Sequence, residues 1–261
     1  MTDLIVNGKS IREFGNIYLS NIERPAMAKR RITKITLMGK DGSYEFEDGL
    51  EDTSIKFDLV FVGMDEETKR FNLREIVAYM QGKLELVFTD EPEIMYKAKL
   101  VSISGLQEMN IREICSLEFI CEPYKFANFE ENNITLNSDI KLMEKITLDT
   151  STDSQFSISS DQNIIIDNIG SSIISPLIEI SGSAASINVG GFTINNISTK
   201  VFIDTDRMIC YTLSGSNKIN KIKDTNGNFE VLKLNIGTNN ISITGTGMNL
   251  TIRYRFRNKY L

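Results

Sequence analysis

The stretch SIKFDLVFVG, residues 54–63, decides the fold class. Ile55, Phe57, Leu59 and Phe61 alternate with Lys56, Asp58, Val60 and Val62. A period of two gathers apolar side chains on one side only if the chain is extended, so the stretch predicts a strand with one face in a core.

The same pattern continues on both sides. Similar strands are expected to begin at Ile32, Leu84 and Ile94, and a longer one spans Ile111 to Cys121, with Ile111, Cys115, Leu117, Phe119 and Cys121 on one face. Cys115 and Cys121 then lie about 20 Å apart along the strand, too far to bridge, and read as core thiols. Gly39-Lys40-Asp41-Gly42 separates two such runs and predicts a hairpin turn. One helix is expected from Leu73, Ile76, Val77 and Met80 at i, i+3, i+4 and i+7. Asn72 is its candidate N-cap, Glu75 the reciprocal partner and Gly82 the left-handed closing residue. The charged run from Asp65 to Arg70 reads as the loop leading in.

Beyond Asn133 the chemistry changes. Up to that residue there are 17 basic and 24 acidic side chains, and from Ile134 onward 12 and 11, in a chain of 261 residues with net charge −6. The second half is rich in Ile, Ser, Thr and Asn. Two domains are expected, 1–133 and 134–261, with the boundary near CEPYKFANFEENNIT, where Pro123 and the polar run after Phe126 break the strand pattern. Short apolar runs at Ile164 to Ile166, Leu177 to Ile180, Ile187 to Val189, Val201 to Ile203, Phe229 to Leu234 and Ile241 to Ile243 predict a β-sandwich with no helix. Its last strand alternates Leu250, Ile252, Tyr254 and Phe256 with Thr251, Arg253, Arg255 and Arg257, one core face and one basic face.

Composition narrows function by exclusion. There is no His and no Trp. Ser-His-Asp and Cys-His catalysis and His-ligated zinc are therefore out, and an enzyme would have to rely on carboxylates, Lys or Tyr. Three cysteines without a CxxC suggest neither a disulfide framework nor a metal knuckle. The acidic balance disfavours a nucleic-acid wrapper, which needs cations to displace counterions. The start, MTDLIVNGKS, is not an export signal, and no apolar run is long enough for a membrane helix, so neither Sec export nor membrane insertion is expected.

Candidate sites are few. Asp204, Asp206 and Asp224 lack the spacing of a calcium loop and are read as turn residues; no metal and no cofactor is assigned. Glu45, Glu47, Asp48, Glu51 and Asp52 form the densest acidic cluster and read as a solvated, loop-like run rather than a buried catalytic pair. A sugar site of the kind built on a Trp platform has no Trp or His here, although a Tyr could replace the platform with less buried area. Arg253, Arg255 and Arg257 repel one another at period two and would gain from an acidic partner surface, such as the acidic half of another subunit. Arg30 and Arg31, in RPAMAKRR, read equally as a solvated loop or a docking arm.

The order of these features resembles the phage distal tail protein family, Dit. LIVNGKSIREFGNIYL, the GKDG hairpin, SIKFDLVFVG, the capped helix, KLELVFTDEPEIMYKAKL and SLEFICEPYKF resemble that family's N-terminal domain. DNIGSSIISPLIEISGS, VFIDTD and KLNIGTNNISITGTGMNLTIRYRFRNKYL are similar to its C-terminal galectin-like sandwich. The positions that match are Gly8, Gly39 to Gly42, Asp90 and Pro92, Cys121 and Pro123, Asn168 and Gly170 before Pro176, and Gly237 with Asn239; they read as turn and strand-end residues.

The resemblance implies a mainly β protein, with an N-terminal β-barrel or sheet domain carrying one short helix and a galectin-like sandwich after it. It further implies a non-enzymatic homohexameric ring at the virion tail tip, single or as two stacked rings, assembled in the bacterial host cytoplasm. Its partners would be the tail tube protein, the tail-associated lysin or fibre hub protein and a receptor-binding protein. The rival readings are a lectin-like carbohydrate-binding module and the equivalent part of a contractile tail or phage-tail-like bacteriocin.

Overall fold

The structure, a computed structural model, describes residues 2–109, 112–128 and 155–261. They form two compact units, one ending at Asn128 and the other ending at Tyr260. The expected boundary at 133 and the expected strand start at Ile111 lie outside the described residues.

The first unit is built from β1 (Leu4–Val6), β2 (Lys9–Ser10), β3 (Ile17–Glu23), β4 (Arg30–Ile35), β5 (Tyr44–Leu50), β6 (Thr53–Val62), the helix α1 (Glu66–Tyr79), β7 (Leu84–Phe88), β8 (Ile94–Ile103), β9 (Gln107–Met109), β10 (Arg112–Cys121) and β11 (Lys125–Ala127). Its main sheet runs β2-β1-β7-β8-β10-β6-β3, and the pairs along this path are antiparallel. Ile55, Phe57, Leu59 and Phe61 of β6 are buried, as the period of two requires, and meet Cys115, Leu117 and Phe119 of β10. Phe57 stacks on Phe119 at 5.4 Å between ring centroids and meets Phe88 edge-on at 6.1 Å. Asn7 and Gly8, both at positive φ, make the two-residue turn between β1 and β2 that such dipeptides favour.

The helix differs from expectation at its start. It begins at Glu66, one residue after the N-cap Asp65, so the charged run read as a loop is its first turns. Asp65 accepts hydrogen bonds from the Thr68 backbone N–H at 3.0 Å and hydroxyl at 2.7 Å. These bonds also hold its carboxyl below the usual aspartate range. Glu66 and Glu67 follow where the helix dipole favours negative charge. Asn72 therefore lies inside the helix, with its amide near Met64 Sδ. Ile76 and Met80 are the buried positions of the expected stripe, and Gly82 has φ 83°, the left-handed region expected after the helix end. Tyr79 Oη donates to the Val6 carbonyl at 2.9 Å and Lys69 pairs with Glu113 of β10, tying the helix to the sheet.

β4 and β5 belong to no larger sheet. They pair only with each other among the described residues, and Ile32 and Ile35 are exposed, so the strand expected at Ile32 forms but has no core to enter. The GKDG segment lies in the loop between them, with Gly39 and Gly42 at positive φ.

The second unit contains β12 (Gln155–Ile158), β13 (Gln162–Asn168), β14 (Leu177–Val189), β15 (Phe192–Ile197), β16 (Val201–Asp204), β17 (Ile209–Ser214), β18 (Asn217–Asn220), β19 (Thr225–Asn226), β20 (Gly237–Thr246) and β21 (Asn249–Arg255). One sheet runs β12-β21-β14-β16-β17-β18; β13, β20, β14, β15 and β19 make the other. The runs at Leu177 and Ile187, expected as separate strands, are one strand of 13 residues. Residues 177–183 pair with β21, and from Ala184 onward β14 pairs with β15 and then β20. Gly182 sits at this switch with φ 120°, and a Cβ there would stand 2.2 Å from the Asn249 carbonyl oxygen, a place no other residue fits. Inward residues of both sheets, including Ile178, Ile180, Ile187, Phe192, Ile252 and Tyr254, share one core.

Phe229 to Leu234 is not a strand. Phe229–Leu232 is a 3₁₀ turn capped by Asn228, whose side chain accepts from the Glu230 N–H; Leu232 and Leu234 are buried and Phe229 packs on Phe192. A second such turn, Ile222–Asp224, also departs from the helix-free expectation.

Candidate assembly surfaces

No group of acidic or thiol side chains suited to a metal ion occurs among the described residues. Asp204 accepts from the Arg207 N–H and pairs with its guanidinium, and Asp224 pairs with Lys221, so both serve turns. Among the described residues no helix is long and apolar enough to cross a membrane. The features that can act on another molecule are surfaces.

The first is the arm formed by β4 and β5. Register places Thr33 opposite Phe46 and Ile35 opposite Tyr44 on one side; Ile32 opposite Glu47 and Lys34 opposite Glu45 lie on the other. One side is therefore apolar and aromatic, and Ile35, Tyr44 and Phe46 on it are exposed, with Leu37 and Met38 at the tip. The other is a ladder of ion pairs: Arg30 to Glu47 at 3.0 Å, Lys34 to Glu45 at 2.7 Å and Lys29 to Glu51 at 3.5 Å. Arg31 pairs with Asp48 at 3.8 Å and donates to the Leu50 carbonyl. The acidic cluster read as loop-like is thus largely strand β5, solvated as expected but paired to the basic residues of β4. A lone two-stranded ribbon is marginal in water. The β-branched residues Ile32, Thr33 and Ile35 favour the strand; nothing in them signals that no core would cover it.

The second surface is the face of the β12–β18 sheet turned away from the core. Arg253 and Arg255 project there, half-buried, while Arg257 follows the end of β21. Arg255 does not await a partner: Glu179 of β14 accepts from it at 3.1 Å and from Lys200 at 2.6 Å. These two cations, acting against burial, hold the Glu179 carboxyl below the usual range. Arg30 and Arg31 lie on the arm in the first unit and the other three arginines in the second.

Sequence reasoning missed a third feature. Asn168 Nδ2 donates to the carbonyls of Ser172 and Leu234 while its Oδ1 accepts from Gly170 N–H; Asn239 spans Asn235 and Gly237 in the same way. These clamps hold the chain ends of β13 and β20, where Ile169, Ile173 and Ile236 are left exposed. The two asparagines were noted as motif positions, and they are structural.

The fold defined by these two units, a helix-bearing antiparallel sheet with a projecting ribbon followed by a two-sheet sandwich, is the fold of the phage distal tail proteins. The chain is similar to the Dit protein of phage SPP1, described as a paradigm of the hub adsorption apparatus in phages infecting Gram-positive bacteria; the TM-score is 0.71 over 100% of both chains, at 14% sequence identity. It is also similar to a chain of the phage P2 baseplate in its activated conformation with Ca, with a TM-score of 0.50 and 10% identity over 99% of this chain and 98% of that one. No family model matches the sequence, and no curated protein is similar to it. The mainly β class and the resemblance to distal tail proteins are thus borne out in the fold.

Proposed function

We propose that this chain is a structural distal tail protein, six copies of which close a ring that joins the tail tube to the tail-tip hub and leaves a channel for DNA. The observation that carries this reading is the likeness to SPP1 Dit along the whole of both chains. The arm supports it. A closed ring repeats one heterologous contact, so each subunit needs a projecting patch and a different receiving patch. The apolar side of β4 and β5 is a projecting patch of that kind. Arg30 and Arg31 stiffen it and add polar contacts at its base.

The acidic half suits the bore. Like charge along a channel gives phosphates no cations to exchange for counterions, so DNA passes without sticking. The tail tube protein on one side, and a lysin or fibre hub protein with a receptor-binding protein on the other, are the partners that such a ring requires, and the virion tail tip is its place.

Native mass spectrometry with negative-stain imaging tests the reading. A hexamer of the 29.5 kDa chain, or its double, with a central hole is the expected species. A strict monomer that also fails to join a tail assembled from its partners overturns it. A reconstruction with the acidic residues facing outward removes the bore argument alone.

A further inference from the structure

The outward face of the six-stranded sheet in the second unit carries one continuous register row. Gln155 lies opposite Arg253, Arg253 opposite Glu179, Glu179 opposite Phe202, Phe202 opposite Tyr211 and Tyr211 opposite Asn220. The row crosses every strand from β12 to β18.

Its side chains are interlocked. Lys218 Nζ stands 4.3 Å from the Tyr211 ring centroid, Tyr211 stacks on Phe202 at 5.2 Å and 12°, and Lys200 Nζ stands 5.0 Å from the Phe202 ring. Lys200 then reaches Glu179, and Glu179 reaches Arg255. The rings therefore act as props between ammonium groups; Phe202 is only 9% exposed. At about 4.8 Å per strand, Lys218 and the arginines of β21 are about 19 Å apart, with Lys200 near the middle. Four cations, Lys218, Lys200, Arg253 and Arg255, face one central carboxylate, Glu179, which is shared by two of them. The other carboxylate on the face among the described residues, Asp204, is engaged by Arg207. Arg253 and Lys218 have no carboxylate partner among the described residues.

We infer that this face binds an extended anionic glycan, a polymer bearing phosphate or carboxylate groups, laid across the strands. Charge complementarity selects an anion. The anion is a flexible polymer rather than a protein surface because the face offers little to a protein hot spot: its aromatics are already covered, and Leu213 is its exposed large apolar side chain. Beside the cations stand neutral hydrogen-bonding groups, Gln155, Asn220, Thr251 and Ser181, which suit hydroxyl-rich sugars. Nucleic acid is less suited because the rings of Phe202 and Tyr211 are stacked on each other rather than open to bases. This inference does not depend on ring formation.

The test is binding of the full chain to polygalacturonate and dextran sulfate, against neutral dextran, poly-L-glutamate and single-stranded DNA. Binding to the two anionic glycans, absent for dextran, is expected to weaken at least tenfold between 50 and 200 mM NaCl. The double variant Lys218→Gln with Arg253→Gln, which leaves both partners of Glu179 in place, is expected to lose at least tenfold with an unchanged melting temperature. Failure to bind either glycan at 50 mM NaCl, or salt-insensitive binding, overturns the inference. Equal binding of poly-L-glutamate or DNA replaces it with a general polyanion surface. Should the double variant unfold, the salt series on the unaltered chain decides.

Discussion

Lys69 Nζ of the helix lies 2.9 Å from Glu113 Oε1 of β10, with side-chain exposures of only 12% and 10%. An ion pair this far from water has spent hydration that its mutual attraction barely returns, so its two halves are worth far more together than apart. Glu113→Leu leaves Lys69 charged and nearly buried, and is expected to cost about 3 kcal/mol. Replacing both, as Lys69→Met with Glu113→Leu, is expected to restore stability to within about 1 kcal/mol of the natural chain. Urea denaturation of the four members of this cycle checks both values.

Tyr254 presents the reverse case. It is fully buried in the sandwich core, and its hydroxyl has no hydrogen-bond partner among the described residues. Burial also drives its phenol far above the ordinary tyrosine range. Tyr254→Phe removes an unsatisfied polar atom without opening a cavity larger than the oxygen. The variant is expected to be at least as stable as the natural chain, gaining about 1 kcal/mol. A thermal melt showing a loss of that size would mean that the hydroxyl has a partner.

The cysteines are core residues, as their positions on strand faces imply. Cys115, Cys121 and Cys210 are free and buried, and Cys115 Sγ donates to the Ser104 carbonyl at 3.0 Å. Burial pushes Cys121 up to about 12 and Cys210 up to about 11 from an ordinary 9.0, and raises Cys115 as well. Native protein at pH 8 is expected to leave all three unmodified by a thiol reagent until it is unfolded. Because the folded values are the higher ones, the unfolded chain loses these protons first. Stability is therefore full below pH 9 and declines as pH rises from 9 towards 12, which a series of melts reads directly.

Glu179 sets the acid limb. Its carboxyl is held below the ordinary 4.5 by Lys200 and Arg255. A depressed folded value means that its contribution is present above pH 4.5 and is lost as pH falls through the folded value. Glu179→Gln is expected to destabilise the sandwich at pH 7 and to flatten the loss of stability below pH 4.5.

The arm separates assembly from folding. Ile35→Glu with Phe46→Glu places charge on its exposed apolar side without touching the core. The melting temperature is expected to stay within about 2 °C of the natural chain, since surface changes away from packed features cost little. Native mass spectrometry is expected to show the monomer alone. A hexamer persisting in this variant would remove the arm from the ring contact.

Much of the architecture was legible in local pattern. Alternation at Ile55 to Phe61 and at Leu250 to Phe256 identified strands and their buried faces, because side-chain direction in a strand depends only on parity. The helix was found but started late, since the apolar stripe shows only where a helix meets a core; its first turns carry Glu66, Glu67 and Arg70 to solvent and rest on the Asp65 cap instead. Leu177 to Val189 was divided because Ser-Gly-Ser-Ala-Ala-Ser has the composition of a turn. Those small residues, Gly182 above all, let one strand pass from one sheet to the other. Phe229 to Leu234 had the apolar content of a strand, and the Asn228 cap turned it into a 3₁₀ bend.

The sequence by itself determined what each residue's neighbours along the chain can decide: strand faces, turn glycines, core thiols, the charge contrast between the halves, and the lack of imidazole chemistry. Only the tertiary structure decided which faces find cover. Ile32 and Ile35 are as apolar as Ile55 and Phe57 and also lie in strands, yet the first pair stands on a ribbon in water and the second in a core. Arg255 and Arg253 are alike in pattern, yet Glu179 neutralises one and leaves the other without a carboxylate among the described residues. Burial and charge pairing are sums over residues distant in sequence, and no local period encodes them.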